Sequence, residues 1–332
     1  MARVQRGDLA AMVLPDTVSE TLLRGAAQAS LIMKYGRQVP MTAKNKVLRE
    51  AEVSGANAFW VGEGQRKTTD SPTMTQKQWT MTYGELAVIV PLDEDVQDDA
   101  TVDLFELYKP AIESAIARKL DSAAMWGVDK PVAWGTLGTD IVPLLTTAGM
   151  QFDEDASPTD AELLDLFAGT GASTPDGALQ AIEEDGYEPN LVIARLQFKS
   201  RLRNLKDSDG RYVFGDAASP NQPGTLFGIP IEFVPYRTAA QDTWVAAEAH
   251  AIMGDFSQAI VGTRKGIRYR IFDQGVITDG AGNVVYSLME SDMIALRVTA
   301  HFGFKVIADE TADTETWDSN SLCPFALVAP EQ

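Results

Sequence analysis

Two histidines, one cysteine and a few clustered carboxylates are the side chains here with the chemistry to act as bases, nucleophiles or metal ligands. His250 and His301 each lack a second histidine three or four residues away, so the zinc-binding helix pattern is absent. Cys323 has no patterned partner, and no Gly-x-Ser-x-Gly elbow occurs. Gly62-Glu63-Gly64, Gly169-Thr170-Gly171 and Gly280-Ala281-Gly282 each lack the third glycine of a dinucleotide loop, and no phosphate loop with a following Lys-Ser or Lys-Thr is present. They read as turns and loop tips. Asp93-Glu94-Asp95 with Asp98-Asp99, and Asp153-Glu154-Asp155, offer the oxygen ligands a hard cation prefers. Neither has the spacing of a calcium loop, and carboxylates at helix starts are favoured by the helix dipole alone. The expectation is no catalytic, cofactor-binding or metal-binding residue, and no enzyme.

Arg264-Lys265-Gly266-Ile267-Arg268-Tyr269-Arg270 is the one basic stretch with an interleaved aromatic. As a strand it puts Arg268 and Arg270 on one face. The chain as a whole carries a formal charge of -19. Nucleic-acid grip rests on Lys and Arg neutralising phosphates, so that charge argues against it. A basic face on so acidic a chain suits an acidic protein neighbour.

The chain has 332 residues, 45% of them hydrophobic and 23% charged, which allows a packed core in one large or two moderate domains. With a single cysteine no intrachain disulfide forms, which fits a reducing cytosol. No run approaches the roughly 18 apolar residues of a membrane span.

The elements that position these residues begin with an arm, 1–44, where a helical pattern runs from Pro15 to Tyr35 with Gly36 as its C-cap. Residues 45–92 then read as an extended hairpin. Trp79, Met81 and Tyr83 alternate with Thr80, Thr82 and Gly84, the mark of a half-buried strand. Two halves of about 15 residues span roughly 50 Å at ~3.3 Å per residue. A two-stranded ribbon is marginal alone in water. Its aromatic face, carrying Phe59, Trp60, Trp79 and Tyr83, is expected to find cover on another copy of the chain.

Asp93 is placed to cap a short helix after the hairpin. A long helix follows, roughly 103–126, with Leu104, Tyr108, Ile112, Ile116 and Leu120 on one stripe, Pro110 near its start and Gly127 at its end. Residues 128–157 are turn-rich and read as a boundary. Thr159 and Glu162 form a capping box that opens an α/β unit of helices and strands to about 245. The remainder, 246–332, reads mainly as β.

In this order the elements and their motifs resemble the major capsid proteins of tailed phages, with the fold named after phage Hong Kong 97. The resemblance rests on Phe59-Trp60-Val61-Gly62-Glu63-Gly64 in the ascending arm and Leu86 to Asp95 in the descending arm. It continues with Asp121 to Gly127 at the end of the long helix, Leu226-Phe227-Gly228-Ile229-Pro230-Ile231, Met253-Gly254-Asp255-Phe256, and Ser291 to Arg297. It implies an α+β fold with N-terminal arm 1–44, extended loop 45–92, peripheral domain with its spine helix 93–157, axial domain 158–245, and returning peripheral strands with the C-terminal segment 246–332.

The resemblance also implies a shell protein of the virion, assembled in the host bacterial cytoplasm. Its hexamers and pentamers would form an icosahedral head that encloses double-stranded DNA without sequence-specific binding and without a membrane. A portal is the implied partner, with a separate scaffold and decoration proteins as further candidates. No coiled-coil segment precedes the arm, so a fused scaffold is not expected. Subunit contacts are expected at Phe59, Trp60, Trp79, Tyr83, Lys67, Arg268 and Arg270. Lys67 and Lys77 lie in the loop where some relatives crosslink, but nothing marks either for that chemistry. The insert 309–323 has no counterpart in the pattern. Two other readings stand beside this one: an encapsulin nanocompartment of the same fold, and an α+β enzyme with an unrecognised site.

Overall fold

The computed structural model describes residues 30–54, 60–64, 73–94, 104–135, 138–155, 159–206, 224–234, 244, 249–279, 281–307 and 322–330. Its strands are β1 (Arg37–Pro40), β2 (Asn45–Ser54), β3 (Thr73–Thr82), β4 (Gly84–Asp93), β5 (Gln151–Asp153), β6 (Leu191–Arg195), β7 (Thr225–Leu226), β8 (Ile229–Val234), β9 (Ala251–Gly254), β10 (Ala259–Phe272), β11 (Val276–Thr278), β12 (Val284–Ser287), β13 (Met293–Val306) and β14 (Phe325–Ala329). Its helices are α1 (Leu31–Tyr35), α2 (Leu104–Trp126), α3 (Ile141–Ala148), α4 (Asp160–Ala168), α5 (Ala178–Glu184) and α6 (Phe198–Asn204).

Of the stripe expected on the long helix α2, Ile112, Ile116 and Leu120 are all at 5% exposure or less and Tyr108 is half-buried. It runs through Pro110 and stops at Gly127, whose φ of +67° suits a residue without a Cβ. The capping box at the start of α4 is present, Thr159 accepting from the Glu162 amide and Glu162 from the Thr159 amide.

Most of the strands form two sheets. One has the order β1-β10-β13-β4, and β10 and β13 form its long antiparallel centre. The other has the order β5-β14-β9-β6-β8-β7. One continuous core joins them, from Ile116 and Leu145 through Phe167 and Val192 to Phe304 and Phe325. Two separate ribbons, β2-β3 and β11-β12, complete the set.

The structure departs from the sequence reading at three places. The expected boundary segment contains α3, whose Ile141, Val142, Leu144, Leu145 and Ala148 are all buried. At eight residues, with Pro143 in its first turn, this helix is too short for a helical period to stand out in the sequence. The segment 246–332 is divided between both sheets. β10 and β13 lie in the four-stranded sheet, while β9 and β14 sit inside the six-stranded one, beside β6 and β5. Every residue of β9 and β14 is buried, so neither alternates, as expected of central strands covered on both faces. Asp93 ends β4, and the short helix expected after it lies outside the described residues, as do the helical pattern from Pro15 to Ala29 and the hairpin tip 65–72.

Candidate assembly surface

The hairpin β2-β3 pairs in register from Asn45↔Thr82 at its base to Ser54↔Thr73 at its far end. Its base lies on the four-stranded sheet over a point where Gly262 of β10 faces Gly303 of β13. A Cβ on Gly262 would lie 2.4 Å from Met41 Sδ and 2.5 Å from Met81 Cε. One on Gly303 would lie 3.0 Å from the Thr82 carbonyl and 3.1 Å from Met81 Cγ. The facing glycines thus leave a slot that the two methionines fill. Ile260, Val39, Leu48, Tyr83 and Ile307 close around it.

Trp79 is 6% exposed within its own subunit. That corrects the expectation that its ring waits for a neighbour: alternation reveals an apolar face but not the surface covering it. Tyr83 is also engaged at home, with the Arg264 guanidinium 4.5 Å from its ring centroid and the His301 ring at 5.0 Å. Trp60 is different. It is wholly exposed, next to a half-exposed Val61, beyond the far end of the ribbon. Arg268 and Arg270 are exposed on one face of β10, flanking half-buried Tyr269. β1 covers β10 only from Ile260 to Thr263, so the basic half of β10 is an edge among the described residues, with the charges that keep such edges soluble. Phe59 and Lys67 lie outside the described residues.

The helix α1 is locked to α2 by a contact the sequence did not announce. Asp121, 5% exposed, accepts from Ser30 Oγ at 2.6 Å, the Leu31 amide at 3.0 Å and the Ile32 amide at 3.3 Å. Ser30 Oγ in turn accepts from the Met33 amide. The carboxylate therefore caps a helix that is about 90 residues away in sequence. Burial pushes its pKa up to about 6, against the pull of the three hydrogen bonds. At the other end of α1, Tyr35 Oη donates to Glu232 at 2.7 Å and Lys34 pairs with the same carboxylate. The helix α1 thus staples α2 to β8.

Between β4 and α2 lies a half-open cleft of about 420 Å3, lined by Leu86, Val88, Ala115, Leu120, Trp134 and Phe302. Trp134 Nε1 donates to the Phe302 carbonyl at 3.0 Å, which fixes the indole as its floor. Glu85 and an ion pair of Lys119 with Asp129 line it as well. Among the described residues β4 is an edge strand of its sheet.

His250 has one polar cluster around it. Its Nε2 lies 2.8 Å from Glu154 Oε2, which also accepts from Arg201, and its ring stacks on Phe198 at 5.0 Å. Burial lowers the His250 pKa, partly opposed by Glu154. The group ties the end of β5 to α6 and the entry to β9, a structural knot at the six-stranded sheet. Among the described residues no three His, Cys, Asp or Glu side chains gather into a metal site. No described helix is long and apolar enough to cross a membrane.

Residues 10–312 match the phage capsid family. The chain belongs to that family. It is 25% identical over 292 residues to the major capsid protein of Staphylococcus phage 80alpha, covering 87% of this chain and 80% of that protein. Among solved structures, one from Mycobacterium phage Cain superposes with a TM-score of 0.69 at 26% identity over 99% of both chains. One from Mycobacterium phage Adephagia gives 0.69 at 27% identity, covering 100% of this chain and 99% of that one. At 15% identity, the capsid of an empty GTA particle shares the fold with a TM-score of 0.59, covering 98% of this chain and 94% of that one. The architecture is the Hong Kong 97-like capsid fold, and the chain is a shell-forming major capsid protein.

Proposed function

We propose that this phage capsid protein works as hexamers and pentamers that close into an icosahedral head around double-stranded DNA. The observation that carries the reading is the asymmetry of the hairpin: its base is seated in a glycine slot, while its far end presents a bare tryptophan. A chain that seats the base of its arm and leaves Trp60, farther along it, uncovered is built to lie across something else. Contacts of one surface on a different surface run head to tail and close into rings. The charge of -19 suits an enclosure that must not trap the DNA it contains. Assembly in the host cytoplasm, with a portal and a separate scaffold chain, fits the same reading. The relatives named above include phage proteins, which favours a phage head over a nanocompartment with enzyme cargo.

Light scattering coupled to size exclusion, with negative-stain microscopy of the same fractions, tests this. Rings of five and six or closed shells are expected. A monomer that stays monomeric at high concentration would contradict it.

A further inference from the structure

The outer face of the four-stranded sheet carries positive charge that its own strands do not balance. On β13, Leu296, Val298 and Ala300 point into the core, so Arg297, Thr299 and His301 between them turn outward. The register sets Arg297 opposite Arg270, Thr299 opposite Arg268 and His301 opposite Lys265. On the other side, β4 sets Ile89 opposite Arg297 and Glu85 opposite His301. Over 264–270, 297–301 and 85–89 the three strands carry five cations and, in Glu85, a single carboxylate.

Like charges directly opposite one another weaken a sheet, so the Arg270–Arg297 pair is costly unless an anion meets it. Arg297 lies 4.8 Å from the Phe272 ring centroid, which holds it at this site. Arg268 and Arg270 are exposed, and among the described residues neither is in an ion pair. Ile89, 45% exposed, adds an apolar spot beside them. Such a face suits an extended segment rich in carboxylates with an apolar group among them.

The segment 308–321, between β13 and β14, has that composition. Asp309, Glu310, Asp313, Glu315 and Asp318 are its five carboxylates, Trp317 is its ring, and it has no Lys or Arg. An indole rests well on an apolar side chain and on a guanidinium alike. Its own sheet is a poor match in length. Both of its ends are tied to the turn at 255–258: the Ile307 amide donates to the Gln258 carbonyl at 3.0 Å, and the Asp255 amide to the Pro324 carbonyl at 2.9 Å. From Val306 the Arg270–Arg297 pair is nine residues along β13, about 30 Å at ~3.4 Å each. The chain from Ile307 to Leu322, doubled back at full stretch, reaches only about 25 Å. A segment arriving from another copy is free of that tether.

We propose that the cationic face of β10 and β13 takes the acidic segment 308–321 of a neighbouring copy. This rests on the shell reading above and adds an electrostatic contact that does not involve the hairpin.

A cysteine pair, Thr299→Cys with Thr314→Cys, tests the contact in assembled particles. The native Cys323 does not compete, because it is fully buried and its thiol is pushed up to about 12 by burial. Mild oxidation is expected to give a ladder of covalent oligomers from the double variant and none from either single variant. Replacing Arg268, Arg270 and Arg297 together by Glu is expected to raise the concentration needed for assembly about tenfold. Changing the five carboxylates of the segment to Lys in the same chain is expected to restore it, which a merely misfolded variant would not show. Particles of the double cysteine variant whose thiols stay free would overturn the contact while leaving the shell reading intact. So would thiols lost without a ladder, which would put the segment on its own sheet. A labelled DNA duplex that binds the parent and is released by the three arginine replacements would assign the face to nucleic acid and overturn the contact as well. Absence of particles from the unmodified chain would overturn the shell reading itself.

Discussion

Asp121→Ala is expected to be the most damaging single substitution outside the hydrophobic core. It leaves the Ser30 hydroxyl and the Leu31 and Ile32 amides without their acceptor. Each buried donor left unpaired costs about 1–3 kcal/mol, and water reaching the site offsets part of that, so a loss of about 3–5 kcal/mol is expected. The loss is local in origin but wide in effect, because α1 joins α2 to Glu232 of β8. Urea denaturation measures the stability. Hydrogen exchange at Leu31–Tyr35 reports release of the staple, and an Ala variant with unchanged protection there would contradict the assignment.

The same residue fixes the sign of a pH effect. Its folded pKa of about 6 lies above the ordinary carboxylate value, so the folded state takes up a proton before the unfolded state does. The stability contribution is present in full below about pH 4 and is lost as pH rises through about 6, amounting to about 3 kcal/mol for two pKa units. Among the described residues no cation pairs with this carboxylate to reverse the trend. His250, whose pKa is lowered, works the other way: its contribution is lost as pH falls below the ordinary histidine value of about 6.5. Asp121→Asn removes the first component and leaves the second. The Asn variant is therefore expected to lose more stability on acidification than the parent. An unchanged profile would show that Asp121 does not titrate in this window.

The second large effect is expected at the foot of the arm. Met81→Ala empties a side chain that is 1% exposed and fills the slot over Gly262 and Gly303. Buried methionine truncations cost about 2–5 kcal/mol, depending on how far the site collapses. Gly303→Val attacks the same seat from the sheet. Its Cβ would press on the Thr82 backbone carbonyl at 3.0 Å, which cannot swing aside as a side-chain tip does, and its methyls crowd Met81 further. Gly262→Ala is expected to be milder, since the nearest atoms its added carbon meets belong to the flexible side chains of Met41 and Met81 and not to backbone. Thermal unfolding ranks the three. Gly303→Val is also expected to redirect the ribbon, so that assembly suffers more than stability alone explains. A Gly303→Val protein that assembles like the parent would mean that the slot does not aim the arm.

Several of these features were legible in the sequence and others were not. The helix α2, the capping box at Thr159 and the alternating strand through Trp79 and Met81 each follow from periodicity or a short local pattern. The strands β9 and β14 are buried along their whole length and carry no period, and α3 is only eight residues long with a proline in its first turn, so neither the strands' sheet nor the helix could be read. The Gly262–Gly303 slot depends on the register of two strands separated by a hairpin, and the Asp121 cap on a contact across 90 residues. No local rule reaches either one. For the surface residues, the sequence singled out Trp60 and Trp79 together as apolar side chains on one extended element. The sheet beneath the hairpin foot is what separates them, burying Trp79 and leaving Trp60 for another molecule.

The central claim is that the arm completes its burial on a second copy. Hydrogen exchange at the Trp60–Gly64 amides, compared between free subunits and assembled particles, tests it most directly. These amides are expected to exchange near the unprotected rate in the free chain and to become strongly protected on assembly. Equal exchange in both states would contradict the account.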